Sequence, residues 1–347
     1  MGFGHVGRRF AARLGGAYGK ALRAAGVSPL VTGIATARHG IAIDEGGLPL
    51  ARALRLVKAG GSLDALHRGH SVQSIADFIR RVPADVVVEI TPLDPRRGEP
   101  ATGHVRAALR RGLHVVTANK GPVAFGRRAL VALARRNGRL FLHEGAVMDG
   151  TPIFNLVARC LPGIRVDGFR GVLNATTSRI LGGMERGETA ESALREAQAA
   201  GVAEADPSHD VDGWDAAVKG CALANALMGA DVRPKDVRRR GVGGITPGAV
   251  RRALRRGGRI RLVVRGQRAG RRVLVRVAPE EVPQGDILVS PGADGVLVIE
   301  TDLMGEIGIW EGAGGVDQTA YALLSDLVQV ARLRAGAGDA SAKMLAR

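Results

Sequence analysis

Cysteine, aromatic residues and long apolar runs are all scarce in this chain of 347 residues. Its two cysteines, Cys160 and Cys221, are isolated and form no CxxC pair, which gives no zinc site and is typical of a reducing cytoplasm. No run of about 18 apolar residues occurs, so the sequence predicts no membrane-spanning helix. An aromatic content of 3% leaves few side chains for stacking on nucleic-acid bases.

Acidic residues are also in deficit. The chain has 33 Asp and Glu against 50 Lys and Arg, which gives a formal net charge of +17 at pH 7. Such a charge ordinarily indicates nucleic-acid binding, because Lys and Arg neutralise phosphates. Here the excess is mostly arginine and is spread through most segments. We therefore expect an arginine-rich solvated surface and no nucleic-acid partner.

The chain opens with a glycine motif of the kind that receives a dinucleotide pyrophosphate at a strand-to-helix turn. Its glycines suit three tasks: a tight turn, room for the pyrophosphate against bare backbone, and close packing of helix on strand. The motif consists of Gly2, Phe3, Gly4, His5, Val6 and Gly7. A buried strand normally precedes such a motif, and here only Met1 does. We expect either that the true start lies upstream or that the sheet lacks its central first strand.

Helix and strand patterns alternate through the first part of the chain. They predict helix 8–25, strand 27–35, strand 86–90, helix 103–111, strand 114–117, helix 123–137 and strand 139–143. This alternation is typical of an α/β doubly wound sheet of the Rossmann type, here with a truncated first strand. Its ligand is expected at the carboxyl ends of the strands.

The pattern changes after about residue 145. Strands at 165–174, 259–265, 272–278 and 296–301, with helices at 189–200 and 213–229, predict an α+β second domain with a largely antiparallel sheet. The last helix, 318–334, is expected to return to the first domain. We expect a dinucleotide-binding domain of residues 1–143 plus 312–347, and a substrate-binding domain of residues 144–311.

The most polar segment, residues 204–219, contains five carboxylates within twelve residues. Asp215 and Lys219 are four residues apart and share one face of a predicted helix. One interpretation is a surface ion pair, with Asp212 as the helix N-cap. The other is that Glu204 and Asp210 hold a substrate ammonium, while Lys219, its pKa lowered by apolar neighbours, acts on a hydroxyl or carbonyl.

Two further segments carry candidate functional residues. Lys120 follows strand 114–117 in a polar turn at the ligand edge of the sheet, where it is either an ordinary loop lysine or a second functional cation. Residues 145–152 are rich in glycine and contain a proline, which indicates a hinge or main-chain carbonyls turned toward an ion.

Several motifs, taken in order, resemble the successive signatures of the homoserine dehydrogenase family. They are Thr117–Pro122, Glu144–Val147 with Gly150 and Pro152, Gly171–Thr176, Glu204–Pro207 with Asp215 and Lys219, Thr301–Asp302, and Gly312–Gly314. The resemblance covers nearly the whole chain. It implies a reversible, nicotinamide-dependent interconversion of L-aspartate 4-semialdehyde and L-homoserine, in threonine, methionine and isoleucine biosynthesis. It also implies a cytoplasmic homodimer that associates through its second domain.

The same resemblance implies roles for individual residues. The catalytic residues would be Lys219 and Lys120, and the substrate site would be shaped by Glu204, Asp210, Asp215 and Thr176. Hydride transfer to an aldehyde leaves a developing alkoxide, which a nearby lysine can stabilise and protonate. A monovalent cation such as sodium would be held, largely by main-chain carbonyls, near Glu144, Val147, Asp149 and Thr151.

The cofactor choice depends on the end of the second strand. Residues 35–39 lack the Asp or Glu that would bind a ribose diol, and Arg38 favours a 2′-phosphate there. We therefore expect NADP, with NAD as the alternative. The cofactor-binding residues expected beyond the opening motif are Arg38, Lys58, Thr91, Pro92, Lys120 and Gly314.

Departures from the family's pattern leave two alternatives open. Four residues of the substrate region differ from the commoner choices, namely Val202, Ala175, Ser178 and Arg179. They allow a related dehydrogenase that acts on another small amino or hydroxy acid. The truncated first strand allows a catalytically silent protein that senses NADP.

Overall fold

The computed structural model describes residues 1–290, 294–312 and 314–335. The helices of the first part are α1 (His5–Leu14), α2 (Ala17–Ala24), α3 (Leu50–Lys58), α4 (Ile75–Arg81), α5 (Ala101–Arg110) and α6 (Lys120–Arg136). Its strands are β1 (Gly33–Ala35), β2 (Ile41–Ile43), β3 (Val86–Glu89), β4 (His114–Thr117) and β5 (Phe141–Leu142). The strands and helices follow one another as the sequence predicts for an α/β domain.

The second part combines helices with longer strands. Its helices are α7 (Ile153–Asn155), α8 (Ala175–Glu185), α9 (Ala190–Ala199), α10 (Ser208–Val211), α11 (Trp214–Leu227) and α12 (Pro247–Arg255), and the chain returns through α13 (Val316–Ala335). Its strands are β6 (Val166–Val172), β7 (Arg238–Arg239), β8 (Gly258–Ala269), β9 (Arg272–Pro283), β10 (Gly295–Thr301) and β11 (Gly305–Glu311). No helix in the described ranges is long and apolar enough to cross a membrane.

The first sheet is built in two pieces that Met1 joins. Strands β3, β4 and β5 are parallel, whereas β1 and β2 form an antiparallel pair. The Met1 amino nitrogen donates to the Val88 carbonyl (2.8 Å), and the Met1 carbonyl accepts from the Ile90 N–H (2.9 Å). On the other side the Gly2 N–H donates to the Ala35 carbonyl (2.9 Å). Met1 therefore occupies the place of the last residue of a central strand.

The structure corrects several predicted boundaries. Helix 8–25 is two helices, because the chain turns at Gly15 and Gly16 between α1 and α2. The predicted strand 27–35 is regular only over β1, and β2 was not predicted. Helix α6 begins at Lys120, three residues earlier than predicted, because the Asn119 side chain caps it by accepting the Gly121 N–H (2.8 Å).

The second sheet has six strands in the order β11-β10-β6-β8-β9-β7, and only the β7–β9 pair is parallel. The largely antiparallel prediction is confirmed, although helix α8 and strand β11 were missed. The predicted return of the last helix is also confirmed. Helix α13 packs Ala320, Leu323 and Val330 into a core with Leu14 of α1 and Val116 of β4. Residues 336–347, which belong to the predicted first domain, lie outside the described residues.

Candidate functional site

Asp215 lies between two lysine side chains. It is in the first turn of α11, which begins after Gly213, a residue in the left-handed conformation (φ 77°) that reverses the chain after α10. The Lys120 Nζ donates to Asp215 Oδ1 (3.0 Å), and the Lys219 Nζ lies 2.9 Å from Asp215 Oδ2. Lys120 comes from the start of α6, in the first part of the chain, so this group of side chains forms only where the two parts of the chain meet.

A second hydrogen bond fixes the orientation of the Lys219 side chain. The Lys219 Nζ donates to the Leu173 carbonyl (2.5 Å), just beyond the end of β6. Burial disfavours the ammonium, but the charge of Asp215, supported by Asp149 and Asp210, outweighs burial and raises the pKa of Lys219 above its usual value. The expectation that apolar neighbours lower this pKa is therefore wrong, because those neighbours are accompanied by an anion in direct contact.

The carboxylate of Asp215 is held in its charged form. Burial alone would raise its pKa, yet the ammonium groups of Lys120 and Lys219 and a hydrogen bond from Asn174 keep the pKa well below the usual range. The interpretation of Asp215 and Lys219 as a solvated surface pair does not describe this arrangement, since both side chains are largely enclosed. Asp212 is also not the N-cap of α11, because Gly213 holds that position.

Asn174 is a site residue that our sequence reasoning did not single out. It is buried and caps α8, where its Oδ1 accepts the Thr177 N–H (2.9 Å). Its Nδ2 donates to Asp210 (2.7 Å) and to Asp215 (3.1 Å), and so connects the two carboxylates. The signal that could have found it is an Asn at the end of a strand and the start of a helix, the position that favours an N-cap.

The other predicted substrate residues differ in their surroundings. Asp210 is half-buried in α10 and accepts from Asn174. Thr176 is buried at the start of α8, and its hydroxyl donates to the Val202 carbonyl (3.4 Å). Glu204 lies on the exposed loop before α10, and its carboxylate makes no hydrogen bond or ion pair with any residue that the structure describes. The structure thus joins Asp210 to Asn174 and buries Thr176 at the start of α8, whereas the Glu204 carboxylate stays on an exposed loop.

The opening glycines occupy three different environments. Gly2 has φ +85°, and a Cβ there would lie 2.4 Å from the Ile90 carbonyl oxygen, so both the turn and the close approach require glycine. A Cβ on Gly7 would lie 2.9 Å from the Ile90 side chain. Around Gly4, the N-cap of α1, a Cβ would meet nothing within 4 Å, so bare backbone faces open space at a helix N-terminus. Phe3 is buried, and His5 and Val6 begin α1.

Thr91 and Pro92 form the turn after β3, next to this helix N-terminus. The fully buried Glu89 carboxylate accepts from the Thr91 N–H (3.0 Å) and from the Thr91 hydroxyl. The Asn119 Nδ2 donates to the Thr91 carbonyl (2.9 Å). Glu89 and Asn119, which were not predicted as site residues, therefore hold the turn and the start of α6 together.

The remaining predicted cofactor residues are less enclosed. Arg38 is exposed in the turn after β1, and Lys58 is exposed at the end of α3. Neither makes a hydrogen bond or ion pair with another residue in the described part of the chain. Gly314 donates its N–H to Asp294 (3.2 Å), and a Cβ there would lie 2.4 Å from Asp149 Oδ2. Gly314 therefore allows the chain to approach the turn at residues 148–149.

The predicted cation segment contains an engaged carboxylate and an unusual turn. The buried Glu144 carboxylate accepts the N–H groups of Phe154 (2.9 Å) and Asn155 (2.8 Å), and burial raises its pKa to about 7. A cation here would thus depend on main-chain carbonyls. Met148 (φ 52°) and Asp149 (φ 45°) are successive left-handed residues, a conformation that is rare outside glycine and often occurs at functional sites.

The side chains around this turn are already paired. Val147 is buried, the Thr151 hydroxyl donates to Glu311 (3.1 Å), and the Thr319 hydroxyl donates to Asp149 (3.0 Å). No group of three or more His, Cys, Asp or Glu side chains suited to a metal ion occurs in the ranges that the structure describes. The side chains of Thr151 and Asp149 are therefore engaged within the protein.

Two family models match adjacent parts of the chain. One, described as the NAD binding domain of homoserine dehydrogenase, matches residues 2–144, and the other, described as homoserine dehydrogenase, matches residues 152–328. The chain belongs to the homoserine dehydrogenase family. It is therefore an NAD(P)-dependent oxidoreductase of the homoserine dehydrogenase type with a Rossmann-like nucleotide domain, as the resemblance implied.

The chain is similar to known homoserine dehydrogenases over most of its length and of theirs. A homoserine dehydrogenase of Methanocaldococcus jannaschii is 40% identical over 297 residues, which cover 85% of this chain and 87% of that protein. An NAD(+)-dependent homoserine dehydrogenase of Pseudomonas canavaninivorans is 36% identical, with 90% and 87% covered. A hyperthermophilic archaeal homoserine dehydrogenase solved with NADPH has 28% identity and a TM-score of 0.79, with 94% and 95% covered. A nicotinamide cofactor is thus a property of the family.

Proposed function

We propose that the Lys120–Asp215–Lys219 centre carries the reversible reduction of L-aspartate 4-semialdehyde to L-homoserine. The observation that supports this most is the pair of ammonium groups on one carboxylate, one from each part of the chain. An ammonium has three N–H donors. Two of those on Lys219 are used by Leu173 and Asp215, which leaves one for a substrate oxygen.

The proposed chemistry follows from that free donor. A nicotinamide cofactor, when bound, would supply the hydride that the aldehyde carbon accepts. As negative charge develops on the aldehyde oxygen, Lys219 donates a hydrogen bond and then its proton to that oxygen, which becomes the hydroxyl of homoserine. Asp215 holds both lysines in place and keeps Lys219 charged until transfer. Water restores the proton to Lys219, and the oxidation direction reverses these steps.

The amino-acid part of the substrate is proposed to bind beside Asn174. Asp210 carries a half-buried carboxylate there, which suits the substrate ammonium, and the buried Thr176 lies two residues after Asn174 at the start of α8. Glu204 would join them only if the exposed loop before α10 moves when substrate binds. A calorimetric comparison of homoserine binding to Asp210→Asn and Glu204→Gln tests this division, and equal affinities for both variants and the unmodified protein would exclude it.

The reaction itself is tested by NADPH oxidation at 340 nm with aspartate 4-semialdehyde. We expect turnover, and homoserine as the product by mass spectrometry. A panel of other small aldehydes and 2-oxo acids serves as the control. Turnover of a panel member but not of the semialdehyde would favour the related dehydrogenase instead. Folded protein that binds NADPH and turns over nothing would favour the sensor.

Replacing two glycines in the opening turn should separate folding from cofactor binding. Gly4→Ala adds a methyl group in open space, so we expect unchanged thermal stability and an NADPH Kd raised by about tenfold, or roughly 1.4 kcal/mol. Gly7→Ala is the matched control, because its Cβ meets the Ile90 side chain, and we expect it to lose about 1–3 kcal/mol of stability. An unchanged Kd in Gly4→Ala would show that the pyrophosphate binds elsewhere.

We propose NADP as the preferred cofactor, on the basis of the exposed, unpaired guanidinium of Arg38 beyond β1 and the solved NADPH complex of a relative. Arg38→Ala should raise the KM for NADPH by about 10- to 100-fold, as expected for loss of a charge-assisted hydrogen bond of about 1.5–3 kcal/mol. The KM for NADH should not change. Lys58→Ala is the control for general surface charge. Equal effects of Arg38→Ala on both cofactors would contradict the assignment.

A monovalent cation is proposed at the turn of residues 147–151, where it would support the hinge between the two parts of the chain. The strained turn and the buried Val147 favour this place, and Glu144 would contribute only indirectly. Thermal unfolding in sodium chloride against N-methylglucamine chloride at equal ionic strength tests the proposal, and identical unfolding temperatures would exclude it.

The domain division and assembly are also proposals. The two separate sheets, with α13 packed on α1 and β4, favour a nucleotide unit of residues 1–143 and 312–347 and a second unit of residues 144–311.

The exposed apolar side chains Leu303, Met304 and Trp310 on the β10–β11 hairpin favour a homodimer through the second unit. Light scattering of the protein and of Trp310→Lys tests this. Both cysteines are unpaired, which favours the cytoplasm.

A further inference from the structure

Glu89 carries a fully buried carboxylate that the proposed reaction does not use. It is the last residue of β3, and no part of its side chain is exposed. Its Oε1 accepts from the N–H (3.0 Å) and the hydroxyl of Thr91, and its Oε2 accepts from the Thr117 hydroxyl (3.1 Å). His104 lies beyond hydrogen-bond range, with its Nδ1 3.9 Å from Oε1. An ionised carboxylate only accepts hydrogen bonds, so Glu89 suits a position that is surrounded by donors.

Thr117 connects Glu89 to the turn that follows β4. The two residues are neighbours on parallel strands. The Thr117 hydroxyl lies 2.7 Å from the Glu89 carbonyl oxygen and 3.1 Å from its carboxylate, and it accepts the Asn119 N–H (2.9 Å). A hydroxyl has one proton and two acceptor positions, so it can donate to Glu89 while it accepts from Asn119. The hydroxyl thereby holds the Asn119 main chain at a fixed distance from Glu89.

Asn119 completes a closed ring of hydrogen bonds at the start of α6. Its Nδ2 donates to the Thr91 carbonyl (2.9 Å), and the Thr91 N–H donates to Glu89. Its Oδ1 accepts the Gly121 N–H (2.8 Å). Lys120 lies between Asn119 and Gly121 and is the first residue of α6. The main chain is therefore held on both sides of Lys120 by a ring that includes Glu89.

The position of Lys120 matters because its side chain reaches the other part of the chain. Its Nζ donates to Asp215 Oδ1 at 3.0 Å. A lysine side chain is long and flexible, so its Nζ meets a fixed partner in one geometry only if its Cα is also fixed. Displacement of a catalytic group by about 1 Å can slow a reaction by about 10²-fold. The ring of hydrogen bonds fixes that Cα.

We propose that Glu89 is a positioning residue, which acts through Thr117 and Asn119 to hold Lys120 against Asp215. Glu89 makes no hydrogen bond or ion pair with Lys120 in the part of the chain that the structure describes, so its effect is indirect. This role rests on the proposed function, because it is defined by the lysine centre. Substitutions that keep the hydrogen bonds of the ring should keep the rate, and substitutions that break them should lower it.

Two pairs of variants test this role by stopped-flow measurement of hydride transfer. Glu89→Met lacks the oxygens that accept from Thr91 and Thr117, whereas Glu89→Gln keeps one oxygen for Thr91 and offers an amide N–H to the Thr117 hydroxyl. Thr117→Val removes the hydroxyl, and Thr117→Ser keeps it. We expect hydride transfer to slow by about 10- to 100-fold in Glu89→Met and Thr117→Val, and the Gln and Ser variants to recover most of the rate. If Glu89→Met does not fold, the two Thr117 variants make the same comparison.

Thr32→Val is the matched control for a general loss of stability. It also removes a threonine hydroxyl from the nucleotide unit, one that donates to the Pro83 carbonyl (2.8 Å). Within the described residues, no hydrogen bond of that hydroxyl leads to the ring at the start of α6. Hydride transfer in Thr32→Val should equal that of the unmodified protein. Equal slowing in Thr32→Val and Thr117→Val would overturn the proposal, because a general loosening of the unit would then explain both.

Acetic anhydride labelling reports the position of Lys120 without turnover. The Lys120 side chain is largely enclosed against Asp215, whereas Lys235 is exposed and serves as the internal reference. In Glu89→Met and Thr117→Val, mass spectrometry should show severalfold faster acetylation of Lys120 relative to Lys235. Slower hydride transfer with unchanged acetylation of Lys120 would overturn the proposal, as would a Thr117→Ser variant as slow as Thr117→Val. A protein that turns over no aldehyde would contradict the proposed function, and the labelling would still decide whether Glu89 positions Lys120.

Discussion

Replacement of Lys219 by methionine is expected to lower kcat for semialdehyde reduction by about 10³-fold, the effect typical of losing a proton donor that also stabilises an oxyanion. Methionine keeps the length of the apolar stem, so packing on α11 is preserved. Lys120 still pairs with Asp215, so the folded state and the NADPH Kd should change little. Stopped-flow measurement of the hydride-transfer step gives the effect directly.

The control for this variant is Lys235→Met, which removes an exposed lysine from the short helical turn after α11 and should leave kcat unchanged. Lys219→Arg keeps the positive charge but lacks a transferable proton at neutral pH, and should recover only part of the rate. If Lys219→Met retains kcat within tenfold of the unmodified protein, Lys219 is not the proton donor, and Lys120 becomes the candidate.

Replacement of Asp215 by asparagine is expected to affect both stability and the pH profile. It leaves two ammonium groups in a largely enclosed site without their anion, which should lower the free energy of unfolding by about 3 kcal/mol. It also removes the charge that raises the pKa of Lys219, so burial should then lower that pKa. Urea unfolding at pH 7 measures the first effect.

The sign of the pH effect follows from the protonation state that each direction needs. Reduction uses the Lys219 ammonium and declines as the pH rises through its pKa, whereas homoserine oxidation uses the neutral amine and increases over the same range. In Asp215→Asn, the decline of reduction and the increase of oxidation should both occur at lower pH. Asp212→Asn, which removes an exposed carboxylate three residues away, is the control. Unmoved limbs in Asp215→Asn would mean that another group controls the profile.

Much of the fold was predictable because its elements carry local signals. The β-branched run of β3, the pattern of β4 and the long hairpin β8–β9 all appear near their predicted positions. The two glycines that divide α1 from α2 and the Asn119 cap that starts α6 are also local signals, but our sequence reasoning did not use them. Strand β11 was missed because its alternation is weak and its exposed side chains include Trp310.

The candidate site was predictable in its residues but not in its electrostatics. Asp215 and Lys219 share a helix face by spacing alone, and that spacing is equally compatible with a surface pair. The direction of the Lys219 pKa depends on whether burial is outweighed by the charge of Asp215, to which Asp149 and Asp210 from other elements add. No local pattern carries that information, since the balance between burial and charge is set by distances across the fold.

The sequence by itself determined the order of helices and strands, the glycine turn and the residue types that suit hydride transfer to an aldehyde, because each depends on neighbours along the chain. Only the tertiary structure decided that Lys120 and Lys219 share Asp215, that Asn174 joins Asp210 to Asp215, and that the carboxylate of Glu144 is engaged by the protein. The physical reason is that ion pairs and buried hydrogen bonds depend on separations of about 3 Å between residues far apart in sequence.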